Sequence, residues 1–443
     1  MTAPLNVAVA GLGTVGAGVL KLLRDHADLV AARAGRPIVV TAVSARDRRR
    51  DRGVDLSAMR WFDDATALAA EADCDVVVEL IGGADGVART VTETAIARGR
   101  HVVTANKALM AEHGGALARL ADKAGVTLAF EAAVGGGIPI VKGLREGLAA
   151  NRISTVSGIL NGTCNYILSE MRETGRDFAD VLAEAQRLGY AEADPGFDID
   201  GVDAAHKLAI LAAIAFDTEV DFADVHVEGI RHVSALDIGF AEELGYRIKL
   251  LGLAKRTPDG LELRVHPCMI PRHDPIAAVD GVFNAVEALG DFVGEVMMVG
   301  RGAGAGPTAS AVVADVLDIA RGDRGPGRSA ANGRPARLPT VPMARRHGAY
   351  YLRLMVVDRP GVIADITAAM RDNEISVESL LQHGRSPGEA VPVVITTHET
   401  DEAAMNRTLD TIAALEAVLE PPRTIRIETL TEKPMTAMRG EHG

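Results

Sequence analysis

The N-terminal segment places the strongest constraint on the fold. Residues 5–10 form a short apolar run, and a helical pattern begins at residue 14. Between them lies a glycine-rich turn, Gly11, Leu12, Gly13, Thr14, Val15 and Gly16. Glycines permit a tight turn and close backbone approach, while a helix N-terminus offers free N–H groups to a pyrophosphate. Strand, glycine turn and helix in this order predict a dinucleotide-binding Rossmann domain rather than a plain turn.

The end of the second predicted strand, residues 38–43, indicates which dinucleotide fits. An acidic residue at this position favours the free 2′-hydroxyl of NAD, whereas arginine suits a 2′-phosphate. Arg46 and Asp47 follow the strand. Arg46 favours NADPH, and Asp47 leaves NADH possible. A solvated basic loop is the structural alternative.

Two further strands are predicted at the spacing of a doubly wound sheet, over residues 75–81 and 101–104. Ligands gather at the carboxyl ends of such strands. Glu79 lies within the first of these apolar runs and needs a partner if it is buried. Lys107 follows the second and is placed to reach cofactor or substrate, although either residue could instead be structural.

A cluster of charges runs directly into apolar sequence between residues 188 and 216. Asp203 and Lys207 stand four residues apart on one face of a predicted helix, which Asp200 can cap near Gly201. The apolar run after Lys207 predicts that the helix is buried on most sides. A supporting ion pair is the plain interpretation, but charges in a protein interior are costly unless they are matched or used, which indicates a site.

The stretch over residues 128–139 predicts a strand that ends at Glu131, three consecutive glycines, and a helix that begins at Pro139. Such a loop turns several backbone carbonyls inward beside one carboxylate. Oxygen ligands with little charge suit a hard monovalent cation. The alternative is a glycine turn on the cofactor side.

Composition excludes several classes of protein. A length of 443 residues suggests two or three domains, and 48% hydrophobic residues exclude a mainly disordered chain. The net charge of -13 argues against nucleic acid or an anionic membrane as the main partner. Neither a membrane span nor a signal peptide is evident, and Cys74, Cys164 and Cys268 are too few and scattered for a disulfide framework. We therefore predict a cytoplasmic protein.

Several long strings together resemble homoserine dehydrogenase over nearly all of the chain to about residue 323. They are GLGTVG, VTANKALMAEHG, FEAAVGGGIPIVKGLREGL, GILNGTCNYIL, LGYAEADPGFDIDGVDAAHKLAIL and GRGAGAGPTASAVVADVLDIAR. The resemblance implies reversible NAD(P)H-dependent reduction of L-aspartate 4-semialdehyde to L-homoserine, in threonine and methionine biosynthesis. It also implies a homodimer or homotetramer.

The resemblance assigns roles residue by residue. Lys207 would be the proton donor, with Asp203 and Lys107 beside it, and the substrate would be held by Glu192, Asp198 and Asp203. The cofactor would contact the glycine turn and a further set, Arg46, Lys107, Gly189 and Gly306. Na+ would be bound by Glu131, Val134, Gly136 and Ile138.

The chemistry of the residues agrees with these roles. Hydride delivery to an aldehyde carbon leaves charge on oxygen, which a nearby ammonium such as Lys207 can stabilise and protonate. In the oxidative direction the same lysine must be neutral. We expect His206 to be structural, and Cys164 has no evident histidine partner and is not needed as a nucleophile.

The C-terminal part has a different character. Residues 322–348 are rich in Gly, Pro and Arg and predict a linker whose arginines are solvated. Beyond it, a βαββαβ pattern with the string DRPGVIADI resembles an ACT domain. This resemblance implies feedback inhibition by L-threonine, with Asp358 and Gly361 near the ligand. A dimerisation module without a ligand is the alternative.

The predicted class is α/β with three domains. Residues 1–140 form the Rossmann domain, 141–323 an α+β catalytic and oligomerisation domain, 324–347 the linker and 348–432 the ACT domain. The helix over residues 307–321 should return to the first domain, because its broad apolar face needs a partner. A non-catalytic amino-acid or NAD(P) sensor on the same scaffold is the alternative function.

Overall fold

The computed structural model describes residues 3–322, 337–384, 386 and 388–430. Residues 324–336 of the predicted linker and the last two residues of the predicted ACT domain lie outside this part. Among the described residues, no helix is both long and apolar enough to cross a membrane.

The first domain is a doubly wound parallel sheet. Its strands are β1 Leu5–Ala10, β2 Ile38–Ser44, β3 Arg60–Phe62, β4 Val76–Glu79, β5 His101–Thr104 and β6 Leu128–Ala129. Its helices are α1 Thr14–Asp25, α2 Ala27–Ala34, α3 Ala65–Glu71, α4 Val87–Ala97 and α5 Lys107–Ala124. The strand order β3-β2-β1-β4-β5-β6 is that of a Rossmann fold, as predicted. Glu79 is buried in β4 and accepts hydrogen bonds from Thr104 Oγ1 at 2.6 Å and from the Ile81 N–H at 2.7 Å.

The second domain packs helices on a largely antiparallel sheet. Its strands are β7 Ile153–Ile159, β8 His226–Val227, β9 Tyr246–Thr257, β10 Gly260–Pro271, β11 Phe283–Gly290 and β12 Gly294–Arg301. Its helices are α6 Ile140–Lys142, α7 Gly162–Thr174, α8 Phe178–Arg187, α9 Gly196–Ile199, α10 Val202–Ala215, α11 Ala235–Glu243 and α12 Ala305–Arg321.

Helix α12 packs back on the first domain. Val312 and Val316 share a buried cluster with Val7 and Val9 of β1, which confirms the predicted return. The helix begins at Ala305, two residues before the predicted start. The apolar face therefore closes the outer side of the Rossmann sheet.

The third domain has the order βαββαβ, with one additional short strand. Its elements are β13 His347–Val357, α13 Val362–Asp372, β14 Val377–Gln382, β15 Ala390–Thr397, β16 Thr400–Asp401, α14 Glu402–Ala413 and β17 Arg423–Ile427. This matches the fold predicted for an ACT domain.

The second and third domains share one eleven-stranded sheet, which the sequence did not predict. Nine strands follow the order β12-β11-β7-β9-β10-β17-β13-β15-β14, while β8 pairs with β10 and β16 with β13. Strands β10 and β17 join the two halves in parallel. Ion pairs reinforce the junction. Arg353 Nε lies 2.6 Å from Asp237 Oδ1, and Arg426 Nη1 lies 2.8 Å from Glu228 Oε2. The pairing of β10 with β17 thus makes the sheet of the third domain continuous with that of the second.

Two local predictions were wrong. Asp200 does not cap α10, because Gly201 occupies the N-cap with φ +86° and the Asp200 carboxylate instead pairs with Arg231. The strand before the triple glycine ends at Ala129, and Glu131 begins a short 3₁₀ turn.

The prediction of solvated linker arginines was wrong for Arg346. Its side chain is buried, and Nη2 donates to Glu428 Oε1 at 2.9 Å and to the Ile427 carbonyl at 3.2 Å. The guanidinium also lies over the Tyr350 ring. Arg346 therefore anchors the start of β13 against the end of β17.

Candidate active site

Helix α10 carries Asp203 and Lys207 into the interior of the second domain, where both side chains are buried. Lys207 Nζ donates to Asp203 Oδ2 at 2.7 Å and to the Leu160 carbonyl at 2.7 Å. An ammonium has three N–H donors. In the described part of the chain, one donor of Lys207 is left without a partner.

The other oxygen of Asp203 faces Lys107, whose Nζ lies 2.5 Å away. Lys107 is the first residue of α5, and the side chain of Asn106 caps that helix by accepting from the Leu109 N–H. About a third of the Lys107 side chain is exposed, at 35%. Asp203 thus joins a buried lysine to one that is partly exposed.

Asn161 completes the carboxylate cluster and was not predicted. Its Nδ2 donates to Asp203 Oδ2 at 2.9 Å and to Asp198 Oδ1 at 2.8 Å. Its Oδ1 caps α7 by accepting from the Cys164 N–H. The sequence signals an N-cap at this position but not the contact with two carboxylates, because those lie 37 and 42 residues further along the chain.

The charged groups in this cluster shift one another's pKa values. Burial disfavours ionised Asp203, but Lys207 and Lys107 outweigh it and hold the pKa of Asp203 well below its usual range. Burial lowers the pKa of Lys207; Asp203 opposes this shift and Lys107 adds to it. Burial, followed by Asp203, raises the pKa of Asp198. The arrangement therefore weakens the proton affinity of Lys207 while Asp203 stays ionised.

An aromatic stack packs around His206 of α10. The His206 ring stacks on Phe222 at 4.2 Å between centroids and on Phe197 at 5.6 Å. Lys107 Nζ lies 5.2 Å from the centre of the Phe197 ring. Burial lowers the pKa of His206, which favours the neutral ring that packs here. These contacts support the structural role predicted for His206.

The loop between α8 and α10 holds the remaining predicted substrate residues. Asp198 is partly buried and joins the cluster through Asn161, whereas Glu192 is exposed. In the described part of the chain, no hydrogen bond to the Glu192 carboxylate is present. Cys164 Sγ donates to the Asp198 carbonyl at 3.3 Å, and burial raises the pKa of its thiol, as expected for an unreactive cysteine.

The glycine turn has the shape that a dinucleotide requires. Gly11 has φ +105°, and a Cβ there would lie 2.5 Å from the Leu80 carbonyl oxygen. A Cβ on Gly16 would lie 2.1 Å from the Gly11 carbonyl oxygen. Helix α1 has no side-chain cap and no acidic residue in its first turn, so its N–H groups are free for an anion. The other predicted contacts in this turn are Leu12, Gly13, Thr14 and Val15.

Arg46 is exposed just beyond the end of β2, at the predicted position of the ribose. The loop that it begins is tied to the glycine turn, because Arg52 Nε donates to the Leu12 carbonyl at 3.1 Å. Arg52 Nη2 also donates to the Asp47 carbonyl at 2.5 Å. A basic loop is therefore held beside the turn.

The two remaining glycines differ in their setting. Gly306 lies in the first turn of α12, where the Ala305 carbonyl approaches α1 so closely that a Cβ on Gly18 would be 2.8 Å from its oxygen. Gly306 is therefore beside the helix that follows the glycine turn. Gly189 lies in the exposed turn after α8, and no described hydrogen bond joins it to the glycine turn.

The predicted cation site centres on a buried carboxylate. Glu131 accepts from the backbone N–H groups of Val141 at 3.0 Å and Lys142 at 2.8 Å. Burial, followed by the nearby Asp315, raises the pKa of Glu131 to about 7. A bound cation would relieve this cost, so the donor set fits a hard ion. The backbone ligands predicted with Glu131 lie in the adjoining loop, at Val134, Gly136 and Ile138.

The predicted regulatory residues lie at the N-terminus of α13. Asp358 Oδ2 accepts from the Ser386 N–H at 2.7 Å. Gly361 is the N-cap with φ +98°, a conformation that favours glycine. Strand β13 separates this turn from Arg346 by about 35 Å, given the rise of an extended strand.

The homoserine dehydrogenase family matches residues 139–317, and its NAD-binding domain matches residues 11–131. The ACT domain family matches residues 350–417.

Relatives described as homoserine dehydrogenase cover almost the whole chain. The protein from Neisseria gonorrhoeae is 48% identical over 433 residues, which is 96% of this chain and 99% of that protein. The protein from Pseudomonas aeruginosa is 47% identical over 434 residues, with the same shares. The crystal structure of a homoserine dehydrogenase from Thiobacillus denitrificans is similar with a TM-score of 0.90 and 47% identity, covering 96% of this chain and 99% of that chain.

Proposed function

The chain belongs to the homoserine dehydrogenase family, and from this premise we propose that it reduces L-aspartate 4-semialdehyde to L-homoserine with NADPH, Lys207 supplying the proton. The enzyme is an oxidoreductase with an NAD-binding Rossmann domain and an ACT domain. The single observation that supports the role of Lys207 is its unused donor. Two N–H groups of the buried ammonium are fixed by Asp203 and Leu160. The third has no partner among the described residues, so we assign it to the substrate oxygen.

The nicotinamide cofactor supplies the hydride when it is bound. As the aldehyde carbon accepts that hydride, negative charge develops on the substrate oxygen. Lys207 stabilises the charge and transfers a proton from Nζ to that oxygen. Leu160 and Asp203 keep Nζ in place, and the lowered pKa of Lys207 makes proton release easier. In oxidation the neutral amine accepts the hydroxyl proton.

Substrate recognition is assigned to the carboxylates around the cluster. We assign the substrate ammonium to Asp203 and Glu192, with Asp198 in support. Of the paired residues Lys107 and Asp203, Lys107 can move to admit the substrate ammonium, because it is partly exposed while Asp203 is buried. Lys107 would then be near both the substrate and the nicotinamide. Glu192 is exposed in this structure.

The preference for NADPH rests on Arg46. Its guanidinium is exposed beside a loop fixed to the glycine turn, which suits a 2′-phosphate. Asp47 keeps NADH possible. The rates of turnover measured in parallel with NADPH and NADH decide between the two cofactors.

A monovalent cation, Na+, is assigned to Glu131 together with Val134, Gly136 and Ile138. The raised pKa of Glu131 supports this, because a cation would favour its ionised form. Thermal unfolding at pH 8 in sodium chloride and in N-methylglucamine chloride tests the assignment. Equal midpoints in the two salts would remove the cation from the proposal.

The ACT domain is assigned an amino-acid effector, L-threonine, near Asp358 and Gly361. Its sheet is continuous with that of the catalytic domain, which gives a physical route for coupling. A dimerisation module without a ligand is the alternative. The assembly is expected to be a homodimer or homotetramer.

The testing experiment follows nicotinamide absorbance with aspartate semialdehyde and NADPH or NADH in parallel, with and without L-threonine. Turnover suppressed by threonine is the expected result. Turnover that threonine does not change would keep the enzyme and remove the effector. A folded protein that binds a cofactor but turns over neither would favour the sensor alternative.

A further inference from the structure

Asn284 of β11 is a buried asparagine next to the candidate active site that has no role in the proposed function. It is 1% exposed, and its Nδ2 donates to the Leu160 carbonyl at 3.0 Å. The same carbonyl accepts from Lys207 Nζ. Because a carbonyl oxygen can only accept, this contact fixes which side of the amide carries the nitrogen.

The position of Asn284 follows from the sheet. Strands β7 and β11 are antiparallel, and Ile159 pairs with Ala285. The next pair in this register would be Leu160 with Asn284, but β7 ends at Ile159. The Asn284 side chain thus continues the pairing one residue beyond the end of β7.

The segment that Asn284 holds contacts the cluster from two sides. The Leu160 carbonyl binds Lys207, and the side chain of Asn161 binds Asp203 and Asp198. A shift of this dipeptide would move the acceptor of Lys207 and the donor to both carboxylates together. The anchor of the segment therefore controls the geometry of the proton donor.

The Asn284 amide also lies against the loop that leads to α12. A Cβ on Gly302 would lie 2.2 Å from Asn284 Cγ and Nδ2, so only glycine fits. That loop runs on to Gly306, which the family resemblance assigns to the cofactor. The amide is thus packed between the carbonyl that binds Lys207 and a segment on the cofactor side.

The oxygen of the Asn284 amide is an unpaired hydrogen-bond acceptor. Asn284 Oδ1 is buried and has no hydrogen-bond partner among the described residues. A purely structural asparagine gains nothing from such an atom, because an unpaired buried acceptor is destabilising. The contact of Nδ2 with the Leu160 carbonyl, rather than full pairing of the amide, is therefore what the asparagine provides here.

We propose that Asn284 is a positioning residue that fixes the Leu160 carbonyl against Lys207 and so aligns the proton donor with the substrate. The inference rests on the proposed function, in which Lys207 transfers the proton. It adds a residue that touches neither substrate nor the reacting atoms. The effect should appear in kcat rather than in substrate affinity.

Asn284→Leu tests the proposal because leucine has the same branching and number of side-chain heavy atoms. The variant removes an unpaired acceptor, and Leu160 keeps Lys207 as a donor, so folding should survive. We expect kcat for homoserine oxidation to fall about tenfold or more, with KM changed less than about twofold, as for a small misplacement of a catalytic group. The alkaline limb of the pH profile should also move, because Leu160 would then accept from Lys207 alone.

Asn165→Leu is the matched control. Asn165 is also 1% exposed, and its Nδ2 donates to the carbonyls of Val279 and Phe283 at 3.0 and 3.1 Å. It contacts Lys249, which is not part of the proposed mechanism. We expect this variant to lose stability and to keep kcat per folded molecule.

The outcomes distinguish failure of this inference from failure of the proposed function. Wild-type turnover, with folded Asn284→Leu retaining kcat within about twofold and an unmoved pH limb, would overturn the inference alone. An equal loss of kcat in Asn165→Leu would also overturn it, because the effect would then be general packing. If Asn284→Leu does not fold, Asn284→Ala decides by the same measurements, since alanine removes the donor to Leu160 without adding a charge beside Lys207. A wild-type protein that does not oxidise homoserine would overturn both proposals.

Discussion

Two lysines in the second domain, Lys207 and Lys249, are buried to a similar degree and differ in how their ammonium groups are satisfied. Lys249 Nζ donates to the Val279 carbonyl at 2.6 Å, to Asp280 Oδ1 at 2.9 Å and to Asn165 Oδ1 at 3.0 Å. All three N–H groups are therefore used. Burial lowers the pKa of Lys249, as it does for Lys207.

Lys207 has the same two kinds of partner, a backbone carbonyl and an aspartate, but no third among the described residues. Its carboxylate partner Asp203 also binds Lys107, which is partly exposed. By contrast, Asp280 binds Arg172 and helps to hold the domain together. Burial and a shifted pKa alone do not distinguish a catalytic lysine from a structural one. The two lysines are distinguished by the N–H donor of Lys207 that has no partner among the described residues.

The largest expected effect comes from removing Lys207. Lys207→Met should lower kcat by about 10³-fold, since a positioned proton donor contributes roughly 10² to 10⁴. Cofactor binding should persist, because the glycine turn lies in the other domain. Steady-state kinetics and fluorescence titration with NADPH measure the two quantities. A variant that keeps more than about a tenth of wild-type kcat would contradict the catalytic assignment.

Removing Lys249 should give the converse result. Lys249→Met leaves Asn165 Oδ1 without its donor, while the Val279 carbonyl keeps Asn165 Nδ2 and Asp280 keeps Arg172. We expect the free energy of unfolding to fall by about 2 kcal/mol, the scale of unpaired buried polar groups. Chemical denaturation gives this value, and activity per folded molecule should stay near wild type. A loss of kcat as large as that of Lys207→Met would erase the distinction between the two lysines.

The sequence predicted those parts of the site that depend on short spacing. Asp203 and Lys207 are one helical turn apart, and the Gly11–Gly16 turn follows its strand directly, so local pattern was sufficient. The order of the Rossmann strands and of the ACT domain followed from the same periodicities. A residue string similar to a known family then supplied roles that spacing could not.

The partners that distinguish the two lysines were beyond the sequence. Lys207 meets Leu160 and Lys249 meets Asn165, which are 47 and 84 residues away along the chain. Those contacts depend on how β7, β9 and β11 align in the sheet, and residue spacing carries no record of that register. Arg346 was wrongly predicted to be solvated for the same reason, because its partner Glu428 lies 82 residues further on.

The pH dependence of the wild-type enzyme is a further test of the difference between Lys207 and Lys249. Homoserine oxidation needs neutral Lys207, so its rate should rise with pH through the pKa of that lysine. Burial lowers this pKa and so brings the rise closer to neutrality than for an ordinary lysine. The initial rate of oxidation at saturating substrate, measured from pH 6 to 10, tests this. An oxidation rate independent of pH over that range would count against Lys207 as the base.

The smallest effect expected is a displacement of that pH profile when Lys107 is neutralised. Lys107 lowers the pKa of Lys207 through charge repulsion. Lys107→Met removes the repulsion, so the pKa of Lys207 should rise and the oxidation profile should move to higher pH, by less than about one unit. Asp203 favours the charged form of Lys207, so Asp203→Asn should move the profile in the opposite direction. Shifts of the same sign in both variants would mean that altered substrate binding, rather than the charge on Lys207, sets the profile. Neither substitution should move the profile if the titrating group were Lys249, because Asp203 and Lys107 are not among the groups that shift its pKa.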